Sequence, residues 1–146
     1  MGYTTEFTGC IELSRPLTIA EAKTLLEINE DPSKAQIPAE RDIDGYMQWV
    51  PTEDLGRIVW DQGEKFYDYT KWMTWLCGWL AERGIKANGE IAWQGEELGD
   101  TGIIYAKDNQ VAIVNVVLHK TTKATPLTMG RLREIALEQL TKGGAA

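Results

Sequence analysis

Histidine and cysteine, which carry many nucleophilic and zinc-dependent reactions, are scarce in this sequence. One histidine, His119, and two cysteines, Cys10 and Cys77, occur among 146 residues. Serine–histidine and cysteine–histidine catalysis would both depend on His119, which ends a predicted strand. A structural zinc site takes about four ligands at characteristic spacing, and these three residues lie far apart. The sequence therefore predicts no catalytic residues, no metal site and no cofactor.

Long apolar runs and phosphate-binding glycine motifs are also missing. No stretch approaches the ~18 apolar residues of a membrane span, and the first residues have neither the basic nor the apolar region of a signal peptide. The 14 glycines form no P-loop and no dinucleotide fingerprint. We expect a protein without membrane contact, in the cytoplasm of a bacterial cell, with both cysteines as free thiols.

Basic residues are outnumbered by acidic ones. The chain has 22 Asp and Glu against 15 Lys and Arg, a net charge of −7 and a pI of about 4.8. Such a protein repels phosphate backbones, so we expect no direct binding to nucleic acid. Residues 1–119 carry −10 and residues 120–146 carry +3. This asymmetry is compatible with a partner that has a basic surface, or with self-association into a homo-oligomer, but the simpler interpretation is that acidity keeps the protein soluble.

The hydrophobic pattern changes several times between the period of a strand and that of a helix. Strands are predicted over residues 3–13, 46–50, 57–60, 85–94, 102–107 and 110–118, and helices over 18–29, 65–83 and from Thr125-Pro126 to about 142. Thr18 and Glu21 form the sequence signature of a capping box. Gly84 is placed to end the second helix, and Asp108-Asn109 predicts a two-residue hairpin turn. Residues 30–45 are predicted to be a long surface loop.

This order of elements predicts an α+β protein. The first six elements, β-α-β-β-α-β, fit a ferredoxin-like antiparallel sheet in which the first and fourth strands are neighbours. A C-terminal hairpin would extend that sheet beside the fourth strand, and the first two helices would share one face. We expect one domain over residues 1–146, with residues 120–146 forming a basic helix appended to it.

The second predicted helix is rich in tryptophan. Trp72 and Trp79 fall on its apolar arc and are predicted to be core residues. Trp75 falls at the rim of the arc, and the charged residues beside it are Lys71, Asp68 and Glu82. A half-exposed tryptophan among charges is typical of a binding hot spot, so Trp75 is a candidate interface anchor, with burial in the core as the alternative.

Three carboxylates occupy a glycine-rich connection between predicted strands: Glu96, Glu97 and Asp100. Oxygen ligands of this kind bind hard cations, and paired carboxylates also serve in hydrolysis. The spacing does not match a 12-residue calcium loop, and we predict that these residues form no high-affinity calcium site. They are candidates for a binding surface, the alternative being a solvated connection.

Three blocks of the sequence resemble small uncharacterised proteins of bacteriophages and bacteria. They span residues 2–9, 60–67 and 89–96, the last followed by Asp100-Thr101-Gly102. The likeness covers roughly residues 2–114 without residues 30–45. It implies a phage or prophage setting in the bacterial cytoplasm, and it supplies no catalytic residues.

Three functions remain open at this stage. The first is a non-catalytic inhibitor of a host defence component, such as a CRISPR effector, that covers a basic channel with its acidic surface. The second is a sponge for a small nucleotide signal, with Arg57, Lys65 and Lys71 as the phosphate-binding cluster. The third is a small metal-dependent hydrolase that uses the carboxylates of residues 96–100.

Overall fold

Six strands form one antiparallel sheet in the order β2-β3-β1-β4-β5-β6. The structure is a computed structural model that describes residues 3–115 and 126–143. The strands are β1 (Glu6–Leu13), β2 (Trp49–Pro51), β3 (Arg57–Trp60), β4 (Ala87–Gln94), β5 (Thr101–Lys107) and β6 (Gln110–Asn115). The predicted α+β class is confirmed, and β1 and β4 are neighbours, joined by eight residue pairs from Glu6↔Gln94 to Leu13↔Ala87.

Three α-helices accompany the sheet. They are α1 (Ile19–Glu30), α2 (Tyr69–Glu82) and α3 (Met129–Gly143). The connection from α1 to β2, predicted to be a loop, contains two short 3-10 helices, Pro32–Ala35 and Ala39–Arg41. Within the described part of the chain, no helix has the length and hydropathy of a membrane span.

The first helix begins where the sequence predicts. The Thr18 hydroxyl accepts a hydrogen bond from the Glu21 backbone N–H at 3.1 Å, and the Glu21 carboxylate accepts one from the Thr18 backbone N–H at 2.8 Å. The Arg15 guanidinium also donates to Glu21, at 2.9 Å. These hydrogen bonds, that of Arg15 first, lower the pKa of Glu21 to about 2. The capping box is confirmed.

The second helix is shorter than predicted. It starts at Tyr69 because Lys65 and Asp68 adopt left-handed backbone conformations, with φ of 56° and 52°, which interrupt a helix. The predicted start at residue 65 is therefore wrong. The end is as predicted: Gly84 follows with φ of 71°, the conformation that favours glycine after a helix.

The main core lies between one face of the sheet and the helices α1 and α2. Trp72 is fully buried and Trp79 is 8% exposed, so their predicted core positions are confirmed. Cys77 is also buried, and burial raises the pKa of its thiol to about 11. Cys10 is half-buried, and both cysteines are free thiols.

The third helix covers the other face of the sheet. Leu132 and Ala136 of α3 pack against Ile103 and Val114 in a second, smaller core. The Thr128 hydroxyl accepts from the Arg131 backbone N–H at 3.1 Å, so α3 begins four residues after the predicted cap at Thr125-Pro126. The rest of the predicted sixth strand and His119, together with Thr125 itself, lie outside the described residues.

A two-residue turn joins β5 and β6, as predicted. Asp108 and Asn109 both have positive φ, 45° and 71°, which matches the right-handed twist of the flanking strands. The Asn109 side-chain amide donates to the Ile85 carbonyl at 2.8 Å and to the Cys77 carbonyl at 3.1 Å. The turn is thereby fixed to the end of α2.

Candidate functional site

Three long connections and the N-terminal residues meet at one end of the sheet. Because neighbouring strands are antiparallel, the start of β1 and β5 lies beside the end of β3 and β4. The helix α1 ends and α2 begins at the same place. We call residues 3–6, 30–48, 61–68 and 94–100 the acidic end, and residues 14–18, 52–57, 82–86 and 107–109 the opposite end.

The two ends differ strongly in charge. Within these ranges the acidic end has three basic residues, Lys34, Arg41 and Lys65, against twelve acidic ones, and Lys71 in the first turn of α2 lies beside it. The acidic residues are Glu6, Glu30, Asp31, Glu40, Asp42, Asp44, Asp61, Glu64, Asp68, Glu96, Glu97 and Asp100. The opposite end has four acidic and five basic residues. Nearly all of the excess negative charge is therefore at one end of the molecule.

The 94–100 connection is held by its own carboxylates. Asp100 accepts from the Trp93 indole N–H at 3.1 Å and from the Tyr3 hydroxyl at 2.7 Å. Tyr3 in turn accepts from the Glu97 backbone N–H at 3.0 Å, and Glu96 accepts from the Thr4 backbone N–H at 2.8 Å. Two of the three candidate carboxylates therefore stabilise the loop.

These hydrogen bonds and charges shift the pKa of the Tyr3 hydroxyl. The Glu97 N–H lowers the pKa of Tyr3, but desolvation and the nearby Asp100 carboxylate outweigh it, and the pKa is raised. Tyr69 lies close by, and burial, followed by the charge of Asp100, raises its pKa to about 12. Both phenols stay protonated at neutral pH, so they act as hydrogen-bond donors and packing groups rather than as proton carriers.

The 61–68 connection is a compact turn built around Asp61. Its carboxylate accepts from the Gly63 backbone N–H at 2.7 Å and from the Asn29 side-chain amide at 3.0 Å. Below it lies Gln48, which is only 6% exposed. The Gln48 amide donates to the Glu64 carbonyl at 2.8 Å and accepts from the Trp60 indole at 3.1 Å. The turn therefore rests on a satisfied buried polar group.

The 42–46 segment closes the acidic end over the start of α2. The Asp68 carboxylate accepts from the Asp44 backbone N–H at 2.8 Å, and the Trp72 indole donates to the Asp44 carbonyl at 3.1 Å. A Cβ at Gly45 would lie 3.2 Å from the Tyr67 ring, so this ring lies against the glycine. Tyr67 is 57% exposed and the adjacent Tyr46 is 56% exposed. Two exposed tyrosines therefore belong to segments that contact each other at the acidic end.

Packed aromatic rings support these loops from beneath. Phe7 lies 5.0 Å from both Trp49 and Tyr69, and Trp49 lies 4.8 Å from Phe66, measured between ring centroids. The Trp49 indole donates to the Tyr69 carbonyl at 2.9 Å. Aromatic rings that pack edge to face or tilted prefer a defined geometry. These rings therefore hold the loops of the acidic end in place.

The predicted interface residues on α2 do not all share one surface. Lys71 and Asp68 lie at the acidic end, 4.0 Å apart, and Lys71 also reaches the Asp42 carbonyl at 3.4 Å. Trp75 is half-buried, with its ring 5.8 Å from that of Trp72. Glu82 is the last residue of α2 and lies at the opposite end. The sequence predicts Glu82 and Trp75 on one binding surface, and the structure does not bring the two together there.

The nucleotide-binding cluster is also divided. Arg57 begins β3 at the opposite end, where it pairs with Asp54 at 3.1 Å. Lys65 and Lys71 lie at the acidic end, so the three cations do not meet. Within residues 3–115 and 126–143, no three His, Cys, Asp or Glu side chains are arranged to hold a metal ion.

Sequence reasoning missed the exposed tyrosines of this surface and the carboxylates next to them. Tyr46, Tyr67, Asp42 and Asp44 fall in segments that were interpreted only as a polar loop or as strand and helix ends. The available signal was the predicted topology, which assigns each connection to one end of the sheet and so allows the charge of each end to be counted. Comparison with known proteins adds nothing to this assignment, because no family model, no curated protein and no solved structure matches the chain.

Proposed function

We propose that this chain is a non-catalytic binding protein whose acidic end docks on a basic surface of another protein. The partner class is a protein that uses that basic surface for nucleic acid, such as a CRISPR effector or another bacterial defence component. The acidic end would cover the basic surface and exclude its normal ligand. The resemblance to phage proteins motivates this setting, in the cytoplasm of a bacterial host.

The observation that carries the proposal is the concentration of twelve acidic against three basic residues at one end of the sheet. Fields from clustered charges add over the Debye length, which is about 8 Å at physiological ionic strength. A surface of this kind attracts a basic partner and repels nucleic acid itself. The chain would therefore compete with nucleic acid rather than bind it.

Tyr46 and Tyr67 supply the second element that a binding surface needs. Charges on the rim of an interface mainly accelerate association, whereas large aromatic side chains provide most of its free energy. Both tyrosines are more than half exposed and lie among the carboxylates of the acidic end. They, rather than Trp75 alone, are the proposed anchors, with Trp75 at the margin of the same surface.

We also propose that β1–β4, α1 and α2 constitute a ferredoxin-like unit. The order β2-β3-β1-β4 and the antiparallel pairing of these four strands support this description. The hairpin of β5 and β6 and the helix α3 are additions to that unit. An experimental structure with a different neighbour for β1 would exclude it.

The charge proposal is tested by a triple variant, Asp42→Asn, Glu64→Gln and Glu97→Gln. These carboxylates make none of the hydrogen bonds that hold the connections, so three charges are removed while the loops are kept. Binding to a co-purifying host protein should weaken about tenfold, mainly through slower association, because interface charges act chiefly on the association rate. The loss should be smaller at high salt.

The matched control removes the same number of charges elsewhere: Glu12→Gln, Glu53→Gln and Glu82→Gln. Glu53 and Glu82 belong to the opposite end. Glu12 of β1 stands opposite Arg57 of β3 in the register of the sheet. This variant should bind like the wild type. Equal weakening by both triple variants would mean that only net charge matters, and the proposal of a defined acidic surface would then be wrong.

A further inference from the structure

The two edges of the sheet are not alike. The edge strand β2 has three residues, Trp49–Pro51, and ends in a proline, which has no N–H to offer to another strand. The other edge strand, β6, has six residues, and Gln110–Asn115 contains neither proline nor a charged side chain. Short length, proline and charge are the usual devices that protect an edge from pairing. In the described part of the chain, β2 has such protection and β6 does not.

At three positions of β6 the backbone N–H and C=O groups have no partner strand among the residues that the structure describes. The two-residue turn makes Lys107 and Gln110 a hydrogen-bonded pair, and such pairs alternate along an antiparallel ladder. The N–H and C=O groups of Val111, Ile113 and Asn115 therefore point away from β5. No other described strand pairs with β6. A strand is the partner whose chemistry satisfies these groups.

The side chains of β6 leave only its edge open. Val111 packs against the main core, and Val114 is buried in the second core beneath α3. Ile113 is 43% exposed, and Gln110 and Asn115 at the two ends of the strand are exposed as well. A partner would therefore add to the edge of the sheet rather than cover one of its faces.

We propose that β6 pairs with β6 of a second copy of this chain, antiparallel and about a twofold axis at Ile113. The two six-stranded sheets would then form one continuous sheet of twelve strands. Ile113 would face its symmetry mate, and Val111 would pair with Asn115 of the other copy. Self-complementary pairing of this type is the simplest route to a closed dimer.

The charge distribution favours a second copy of this chain as the partner of β6, and it favours antiparallel over parallel pairing. Because β6 has no charged residue, two copies pair without like charges at the contact. Antiparallel pairing puts the acidic end of one copy beside the opposite end of the other, which has five basic and four acidic residues. Parallel pairing would put the two acidic ends side by side. The net charge of −7 therefore favours the antiparallel dimer.

The experiment measures the mass of the full chain by sedimentation equilibrium. The wild type should show a concentration-dependent species of twice 16.4 kDa. Ile113→Lys and Ile113→Glu should each be monomeric, because each places two like charges opposite one another on the axis. An equimolar mixture of these two variants should recover the dimer through opposite charges. Ile19→Lys, which changes a 79% exposed isoleucine on α1, is the matched control and should dimerise like the wild type.

Three results would overturn the proposal. The first is a wild type that is monomeric at all concentrations, and the second is a dimer that survives both Ile113 variants. The third is protection of the Val111 and Ile113 amides from hydrogen exchange that does not depend on concentration, which would indicate pairing within the same chain. None of these results bears on the acidic end, which is tested separately by the two triple variants.

Discussion

The two ends of the sheet show two uses of a carboxylate. At the opposite end, acidic and basic residues alternate and pair, as in Arg57–Asp54 at 3.1 Å and Arg15–Glu21 at 2.9 Å. At the acidic end, Asp61 and Asp100 accept hydrogen bonds from backbone or side-chain N–H and O–H groups instead, and Asp68 combines such a bond with Lys71 at 4.0 Å. Neutral donors satisfy a carboxylate without cancelling its charge, so a fully hydrogen-bonded loop can still be strongly negative.

The carboxylates of the acidic end fall into two groups, those that hold the connections by hydrogen bonds and those that do not. Asp61, Asp68 and Asp100 shape the connections, whereas no hydrogen bond that holds these loops is made by the carboxylates of Asp42, Glu64 and Glu97. Substitutions at the first group should change stability, and substitutions at the second should change binding. Three predictions compare the two ends in order of decreasing effect: the buried support of the acidic end, the separation itself in the 94–100 loop, and an ion-paired carboxylate near the opposite end.

The largest effect is expected for Trp72→Ala, which removes the buried support of the acidic end. Trp72 is fully buried, and its indole donates to the Asp44 carbonyl at 3.1 Å. Loss of a buried tryptophan lowers the free energy of unfolding by about 3–5 kcal/mol. Chemical denaturation measures this directly. Trp75→Ala, on the half-buried side of the same helix, should cost roughly 2 kcal/mol or less, because less apolar area leaves the interior.

The relation between these two tryptophans also decides the role of Trp75. A lower affinity for the partner with a nearly unchanged melting temperature would support Trp75 as part of the binding surface. Equal destabilisation by Trp72→Ala and Trp75→Ala would identify Trp75 as a core residue instead.

An intermediate effect is expected for Asp100→Ala. The substitution leaves the Trp93 indole N–H without its acceptor and frees the Tyr3 hydroxyl. An unsatisfied buried donor costs about 1–3 kcal/mol. Glu97→Ala in the same loop is the control and should stay within about 0.5 kcal/mol of the wild type. Equal stability of the two variants would show that Asp100 does not fix this loop.

The smallest effect concerns Glu21 and acid. Its pKa is lowered to about 2 in the folded chain by Arg15 and by the Thr18 N–H, against 4.5 ordinarily. The contribution of Glu21 is therefore complete above about pH 4.5 and is lost as the pH falls toward 2. Exposed ion pairs contribute about 0–1 kcal/mol, so Glu21→Gln should flatten the acid limb of the stability curve only slightly. An acid limb in Glu21→Gln that matches the wild type would refute the assignment.

Much of the fold follows from local patterns in the sequence. Alternation identifies β1 and β4, Thr18 with Glu21 fixes the start of α1, and Asp108-Asn109 fixes the last turn. The start of α2 could not be predicted, because Lys65 is a good helix former by type yet has a left-handed backbone, and Asp68 is bonded to the Asp44 N–H of a distant segment. The start of α3 was misplaced because both Thr125 and Thr128 have the side chain of a cap.

The candidate site was less predictable than the fold. Clustering of Glu96, Glu97 and Asp100 was visible in the sequence, but their hydrogen bonds to Tyr3, Thr4 and Trp93 depend on the pairing of β1 with β4. Tyr46 and Tyr67 are 21 residues apart in the chain, and their segments meet where Gly45 packs against the Tyr67 ring. Surfaces assembled from several connections depend on long-range topology, which local periodicity does not encode.

The buried thiol of Cys77 makes the opening of this molecule measurable by thiol labelling of the native sequence, without an introduced cysteine. A thiol with a pKa of about 11 that is 1% exposed reacts with a disulfide reagent only when α2 separates from the sheet. Cys10, half-buried on the other face, reacts in the folded state. The labelling kinetics of the native chain should therefore be biphasic, and the slow phase reports the rate or the equilibrium of that separation, depending on how fast the chain recloses.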